Sequence, residues 1–235
     1  MHRSLPALLL LTLSAAAPAA ERKLFLSSFD RVRVEGPFRV TVAAGRTPGG
    51  TVSGDGDQLD GLEVRQEGST LAIRRPLQRW RAQAAAEVAQ PITVALTTPA
   101  LSAINVIGAG EVTASAGKAS RLDLSVAGTG AIAATGIDAA EVNATSIGNG
   151  RITLAGRAAR AKLVANGAGA IQAEELDASE VTVLLDGPGE ATARARYTAN
   201  VTNTGLGHVV ILGSPKCAVK AAAGGPVSCG SDLVR

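Results

Sequence analysis

Apolar and polar residues alternate along most of the chain, and a Gly-x-Gly triplet interrupts this alternation at nearly regular intervals. Apolar residues lie two and four positions after each triplet, and another lies four positions before its first glycine. This period of two predicts a β-strand on each side of the triplet. The first glycines are spaced 20, 20, 19, 20 and 18 residues apart, at Gly108, Gly128, Gly148, Gly167, Gly187 and Gly205.

The repeat of about 20 residues predicts an all-β fold, a β-solenoid in which each repeat forms one coil. A unit this short cannot bury a core of its own and is stable only when it stacks on its neighbours. Glycine suits the corner because tight corners need a positive φ or a close approach between coils. The hexapeptide period of left-handed β-helices and the nonapeptide period of calcium-binding solenoids are both absent, so we expect a right-handed parallel β-helix.

The N-terminal third lacks the glycine repeat but keeps the alternation, for example in RVRVEG from Arg31 and RVTVAAG from Arg39. We predict turns at 36–37, 48–50 and 54–57. We expect residues 20–235 to form a single solenoid domain, with N-terminal coils or a cap over 24–100 and Gly-x-Gly coils over 101–235. Segment 77–90 is rich in helix formers and predicts a loop or a short helix that interrupts the solenoid.

Residues 1–19 have the features of a secretory signal peptide. They begin with His2 and Arg3, continue with an apolar run from Leu5, and end in small residues at Ala19. The alternative, a transmembrane anchor, is disfavoured because the apolar run is shorter than the roughly 20 residues that a span requires. No second apolar run follows. We therefore expect an exported protein without a membrane span, located in the periplasm, at the cell surface or outside the cell.

Composition narrows the possible functions. Hydrophobic residues make up 46% of the chain but aromatic residues only 2%, so the interior must be built from Ala, Val, Ile and Leu. Charged residues make up 18%, which excludes disorder over most of the chain. The formal net charge is only +3, and the chain has too few aromatic residues for a base-stacking surface. We expect no nucleic-acid partner.

The two cysteines, Cys217 and Cys229, lie near the end of the chain. An oxidising compartment favours a disulfide between them, and the alternative, a zinc site, falls short of the usual four ligands. A seventh, degenerate corner places Ala223 and Gly225 where the two glycines of the triplet would stand. The cysteines would then occupy inward sites on facing strands, and their disulfide would close the last coil.

The residues that could support catalysis do not form a recognisable set. His208 is the only histidine after the leader and has no cysteine or nearby serine as a partner, so we expect a surface residue. Paired carboxylates on adjacent coils are the alternative in glycan-cleaving β-helices. The aspartates occupy different positions in their repeats and form no such ladder: Asp123, Asp138, Asp177 and Asp186. We predict no catalytic residues and a protein that is not an enzyme.

Metal and nucleotide binding are also unsupported. The acids Asp55, Asp57 and Asp60 resemble a calcium loop, but Gln66 stands where an EF-hand needs glutamate. No phosphate-binding glycine motif is present. We predict no metal site and no cofactor.

One local concentration of positive charge surrounds the only tryptophan. Arginine beside an aromatic ring can bind sulfate, phosphate or carboxylate groups of envelope glycans. The alternative is a solvated edge that blocks strand pairing, with the tryptophan packed down as an anchor. The candidate polyanion-binding residues are Arg74, Arg75, Arg79, Trp80 and Arg81, with Arg65 nearby.

Several segments together resemble a known family. They are FDRVRVEGPFRVTVAAG, LEVRQEGSTLAIRR, ITVALTTPALSAINVIGAGEV and the repeated Gly-x-Gly coils. In this order they are similar to the bacterial adhesin-head family called the head GIN domain, also classed as a domain of unknown function. The resemblance covers nearly all of the chain after the leader. It implies a right-handed β-helix similar to pectin-lyase-like proteins but without their catalytic residues, and a role in cell adhesion.

Many relatives carry an acidic residue directly after the triplet. This chain has different residue types at those sites, which argues against a repeated metal ladder: Glu111, Ala131, Arg151, Ala170, Glu190 and His208.

These observations favour an exported, non-enzymatic β-solenoid that acts as an adhesion-like module and binds a cell-envelope glycan or a surface protein. Two alternatives stay open: a polysaccharide-acting enzyme of the β-helix type, and a structural scaffold that self-associates through its coil edges. Shared architecture alone does not establish an enzymatic function.

Overall fold

The computed structural model describes residues 20–76, 91–230 and 232–234. Within them the chain is nearly all β, with seventeen strands and the single-turn helix α1 (Gly56–Leu59). The predicted β-solenoid with coils of about 20 residues is confirmed, and it makes about six turns. The predicted signal peptide (1–19) and the predicted interruption (77–90) lie outside the described residues.

The centre of the solenoid consists of five long parallel strands that each follow a whole coil. They are β9 (Glu111–Gly128), β10 (Ala131–Gly148), β11 (Arg151–Asn166), β12 (Ala170–Asp186) and β13 (Glu190–Asn203). Each coil has two limbs: one follows a Gly-x-Gly corner and the other precedes the next corner. We call the sheet of limbs after the corners face A and the sheet of limbs before the corners face B.

Successive coils stack in register, so residues with equivalent places in the repeat lie side by side. On face A, Ile132 pairs with Val112 and with Ile152. The inward residues of both limbs are buried, whereas the outward residues are partly or fully exposed. Many inward sites hold alanine, including Ala114, Ala134 and Ala173, which agrees with the prediction that the interior is built from Ala, Val, Ile and Leu.

The N-terminal coils are stacked in an order that differs from their order in the chain, and the first of them lies inside the stack. The first coil consists of β2 (Arg31–Glu35) and β3 (Arg39–Ala44). Strand β2 lies between β6 (Thr70–Arg74) and β8 (Ala103–Gly108), and β3 lies between β7 (Thr93–Thr98) and β9. All of these pairings are parallel. The first coil in sequence is therefore flanked on both sides by later ones.

Antiparallel strands end the solenoid on the N-terminal side. Strand β4 (Gly49–Gly54) pairs with β7 on one side and with β1 (Ala20–Leu24) on the other, and β5 (Glu63–Glu67) pairs with β6. The predicted turn at 48–50 is wrong, because β4 begins at Gly49 and its backbone bonds both neighbours. The predicted turn at 54–57 is replaced in part by helix α1, in which Leu59 N donates to Asp55 O at 2.9 Å.

The two glycines of each corner meet different demands. The first has a positive φ in five of the six triplets, as at Gly128 with φ +122°, and Gly205 is the exception. The second brings adjacent coils close together: a Cβ at Gly130 would lie 2.5 Å from Gly110 O. Backbone hydrogen bonds continue through the corner, from Gly130 N to Gly108 O at 2.8 Å and from Ala131 N to Gly110 O at 2.9 Å. The corners therefore stack as tightly as the strands.

The C-terminal end contains β14 (His208–Gly213), β15 (Lys216–Ala221), β16 (Val227–Cys229) and β17 (Asp232–Val234). Strands β14 and β15 continue the two faces next to β13, β16 pairs with β14, and β17 pairs antiparallel with β16. The predicted disulfide between Cys217 and Cys229 is confirmed, with a Cα–Cα distance of 6.5 Å. Their register partners Ala199 and Ile211 are core residues, so the disulfide crosses the last coil from face B to face A.

Candidate functional site

The outer surface of face B carries a polar groove that crosses four neighbouring coils. Strand register builds it from two rows of side chains. One row contains Ala103, Asp123, Asn143 and Lys162, and the next contains Asn105, Ser125, Thr145 and Val164. These eight residues line a cavity of about 340 Å³ together with Arg121 and two buried aliphatic residues, Ile104 and Leu124. We call this cavity the face-B groove.

A hydrogen-bonded network fixes one wall of the groove. Arg121 Nε donates to both carboxylate oxygens of Asp123, at 2.9 and 3.0 Å. Asn143 Nδ2 donates to Asp123 Oδ1 at 2.9 Å and to Glu141 Oε1 at 3.1 Å. The hydrogen bond to Asp123 and the charges of Asp123 and Glu141 raise the pKa of the Arg121 guanidinium. These groups satisfy one another and hold the wall in one geometry.

Other polar groups in the groove are unsatisfied. Lys162 forms no salt bridge with any residue in the described part of the chain. Asn105 Oδ1 is buried and accepts no hydrogen bond there. A buried acceptor without a donor calls for a water molecule or a ligand as its partner. Lys162 can therefore meet an anion in the groove, and Asn105 Oδ1 can accept a hydrogen bond there.

An apolar strip runs beside the polar rows. Ile107, Ala127 and Ile147 lie in register on successive coils, and Leu184 lies next to Val164. Ile107, Ile147 and Leu184 are 36%, 52% and 38% exposed. A ligand in the groove would therefore meet hydrogen-bonding groups on one side and aliphatic carbon on the other.

The acids and the histidine considered in the sequence are dispersed. His208 is exposed on face A, in register with Glu190. Asp138 lies 3.9 Å from Arg157, and Asp177 pairs with Arg196 at the bend opposite the glycine corners. The hydrogen bond from Arg196 lowers the pKa of Asp177. Within 20–76, 91–230 and 232–234, no group of three or more His, Cys, Asp or Glu side chains is placed to hold a metal ion.

The predicted arginine cluster is only partly described. Arg74 forms a two-point pair with Glu63, with distances of 3.0 and 3.3 Å, and this pair raises the pKa of Arg74 and lowers the pKa of Glu63. Arg65 lies 3.2 Å from Glu63. The Nε atom of Arg75 is buried. Arg79, Trp80 and Arg81 lie outside the described residues, so polyanion binding at this cluster stays a prediction.

The face-B groove was not singled out from the sequence, although the repeat contains a signal for it. Asp123, Asn143 and Lys162 each stand five residues before the first glycine of a triplet, and Ser125 and Thr145 each stand three before. Aligning the repeats on their glycines places these residues in two rows. Reading each segment by itself hides the rows, because neighbours in a row are about 20 residues apart.

A second, mostly apolar cavity lies at the N-terminal end of the solenoid. Its volume is about 260 Å³, and it is lined by Arg22, Leu24, Val52, Leu59, Leu62, Glu63 and Val64. Arg22 pairs with Asp60 at 3.2 Å.

In the described ranges of the chain, no helix is both long and apolar enough to cross a membrane.

Comparison with known proteins gives one family and several similar structures. Residues 28–215 match the family model described as "Putative auto-transporter adhesin, head GIN domain". A "putative adhesin" from Bacteroides fragilis has a similar structure, with a TM-score of 0.80, 20% identity, and coverage of 92% of this chain and 95% of that one. A "Putative lipid binding protein" from Parabacteroides distasonis has a TM-score of 0.68 and 19% identity, with 91% and 94% of the two chains covered. None of the curated proteins matches the chain.

Proposed function

This chain belongs to the auto-transporter adhesin family with the head GIN domain, and we propose that it is an exported, non-enzymatic module that holds a cell-envelope ligand in the face-B groove. The family supports an adhesion-like role. The disulfide between Cys217 and Cys229 supports export, because such bonds persist in oxidising compartments. The groove itself carries the proposal, since it is open to solvent and extends across four coils.

Binding without cleavage agrees with the chemistry of the groove. Glycoside hydrolysis needs two carboxyl groups on either side of the bond, one acting as an acid and the other as a base or nucleophile. Asp123 is held by Arg121 and Asn143, and Glu141 is held by Arg121 and Asn143 on the same wall. Neither acid faces a partner across the groove among the lining residues. We propose that these acids maintain the shape of the wall.

The test measures binding and cleavage together. Purified, oxidised protein is incubated with anionic and neutral bacterial polysaccharides, and bound protein and polymer chain length are recorded in the same wells. In parallel, association of bacterial cells with a surface is compared with and without the protein. We expect binding and increased association without any change in chain length. Heat-sensitive shortening of a polymer would show an enzyme, and the absence of any cell association would refute the adhesion-like role.

The apolar cavity at the N-terminal end supports a second candidate, binding of a short acyl chain. Its aliphatic lining suits a hydrocarbon, and one protein of similar fold is described as a "Putative lipid binding protein". Val64→Trp would fill this cavity and should abolish binding of a fluorescent fatty acid, whereas Val164→Trp on the other cavity should not. Equal binding by both variants would exclude this candidate.

A further inference from the structure

We infer that the ligand of the face-B groove is an anionic polysaccharide whose hydroxyl groups bond the row of Asn105, Ser125 and Thr145 and whose acidic group meets Lys162. This inference rests on the proposed function and specifies the ligand class of the same groove.

The first argument is the repetition of hydrogen-bonding groups. Asn105, Ser125 and Thr145 lie in register on three successive coils. Neighbouring strands are about 4.8 Å apart, so the row presents polar groups at regular steps along the solenoid axis. The hydroxyl groups of Ser125 and Thr145 form no hydrogen bond in the described part of the chain, and Asn105 Oδ1 lacks a donor there. A polymer with many hydroxyl groups can satisfy all three positions.

The second argument is the direction of charge along the adjacent row. Asp123, Asn143 and Lys162 occupy successive coils, so the row runs from an acceptor through an amide to a cation. Arg121 is already engaged by Asp123 and Glu141. Lys162 is therefore the cation available to an anionic ligand. It stands two coils from Asp123 and one coil from Glu141, and Arg121 pairs with both of these carboxylates. The arrangement fits hydroxyl donors near Asp123 and a carboxylate or sulfate near Lys162.

The third argument is the apolar strip beside the rows. Ile107 and Ile147 are one row away from the polar groups and are partly exposed. Sugar rings combine hydroxyl edges with faces of C–H groups, so one ring can use both sides of the groove. A ligand without hydrogen-bonding groups would leave Ser125, Thr145 and Asn105 unsatisfied, which carries a desolvation cost. This favours a glycan, whose rings carry several hydroxyl groups each, over an apolar ligand.

The experiment uses acidic polymers with chemically matched neutral partners. Polygalacturonate is compared with its methyl-esterified form, and hyaluronan, alginate and heparin are compared with carboxyl-reduced or desulfated forms. We expect at least one acidic polymer to bind about tenfold more tightly than its neutral partner, the size of a charge-assisted hydrogen bond. The preference should weaken with added salt. Oligomers that span more coils should bind more tightly than a monosaccharide.

Variants locate the contact. Lys162→Gln should remove most of the preference for the acidic polymer, and Thr145→Val should weaken binding of the acidic and neutral forms alike. Lys118→Gln changes the net charge equally, but Lys118 lies at the bend opposite the glycine corners and does not line the groove. This variant should have little effect on binding. Lys162 and Lys118 are both exposed, and thermal unfolding will verify that the variants are folded.

The outcomes separate the two proposals. Unchanged binding in Lys162→Gln, or equal binding of acidic and neutral partners throughout, would overturn the anionic-polysaccharide inference. If the protein promotes cell association but binds no polymer of the panel, the glycan class is wrong and the adhesion-like function stands. If neither cells nor polymers are bound, the proposed function is refuted, and the inference that rests on it is refuted with it.

Discussion

A single hydrogen in place of a side chain determines whether coils can stack at the corners. From Gly130 onward, the second glycine of each triplet lies against the carbonyl oxygen of the corresponding glycine one coil earlier. A Cβ at Gly150, for example, would lie 2.9 Å from Gly130 O. No rotamer change can relieve this contact, because the neighbouring atom belongs to the backbone. The glycine spacing in the sequence therefore encodes the stacking as well as the turn.

Gly130→Ala tests this close approach. The new methyl would meet Gly110 O at 2.5 Å and Val106 Cγ1 at 2.8 Å. Overpacking of this kind costs about 1–3 kcal/mol, and we expect the free energy of unfolding in urea to fall by that amount. Gly49→Ala is the control, since nothing lies within 4 Å of its added Cβ, and it should change stability by less than about 0.5 kcal/mol. Equal effects would contradict the stacking argument.

We expect Asp30 to make the first coil sensitive to acid, because its carboxylate is hydrogen-bonded in the folded protein. Its Oδ2 accepts a hydrogen bond from Ser102 Oγ at 2.7 Å. Burial alone would raise the pKa of Asp30, but hydrogen bonds from Ser102 and Ser69 and the charge of Arg31 hold it below the usual value. A lowered pKa in the folded state means that the ionised carboxylate stabilises the fold above the unfolded-state pKa. This contribution is lost as the pH falls through the lower, folded-state pKa.

We therefore expect Asp30→Asn to lower the free energy of unfolding at pH 7 and to cost progressively less as the pH falls from about 5 towards 2. Urea denaturation at several pH values will measure the difference between variant and wild type. Ser102→Ala removes the donor of the same hydrogen bond and should show the same trend. A difference that stays constant with pH would assign the loss to packing instead of ionisation.

At the scale of strands and coils, the elements that repeat along the chain can be predicted from the sequence, whereas the elements that occur once cannot. The coils β9 to β13 were predictable because each corner resembles the next. Strand β4 was not, because GGTVSG from Gly49 has only one large apolar residue, Val52. At Gly50 the missing side chain leaves room for Leu96 on the neighbouring strand, where a Cβ would lie 2.8 Å from Leu96 Cδ2. A glycine that indicates a turn by itself is here part of a strand.

We expect the last coil to depend on its disulfide, because among the described strands β15 pairs with β13 alone. Its inward residue Cys217 is exposed, in contrast to its register partner Ala199. In the chain-entropy model a loop of this length contributes about 3 kcal/mol. Replacing Cys217 and Cys229 by alanine should lower the protection of β15 and β16 amides from hydrogen exchange. Protection of β10 and β11 should change little, and an equal loss in both regions would contradict a local role.

Across the whole molecule, contact between adjacent coils is the source of stability, and the order of coils in space decides which segments are indispensable. In a solenoid each repeat contacts only its neighbours. The pairing of Val32 with both Leu71 and Ile104 joins parts of the chain that are far apart in sequence. Local patterns cannot predict this order, since the alternation in β2 is equally compatible with an end position. The same argument applies to the groove, which exists only after the coils are in register.

Two truncations distinguish the ends from the middle. Ending the chain after Gly213 removes β15, β16 and β17 but leaves every other pairing intact, so this variant should remain folded, with a lower unfolding temperature. Deleting residues 20–45 removes β1, β2 and β3. It uncovers one side of β4 and opens a gap between β6 and β8 and between β7 and β9. We expect that variant to lose its cooperative thermal transition, measured by far-UV circular dichroism, and to aggregate on size-exclusion chromatography. A folded N-terminal deletion would contradict this expectation. It would show that the coils from β8 onward form a stable solenoid without the coil of β2 and β3, which would then stabilise only the N-terminal end.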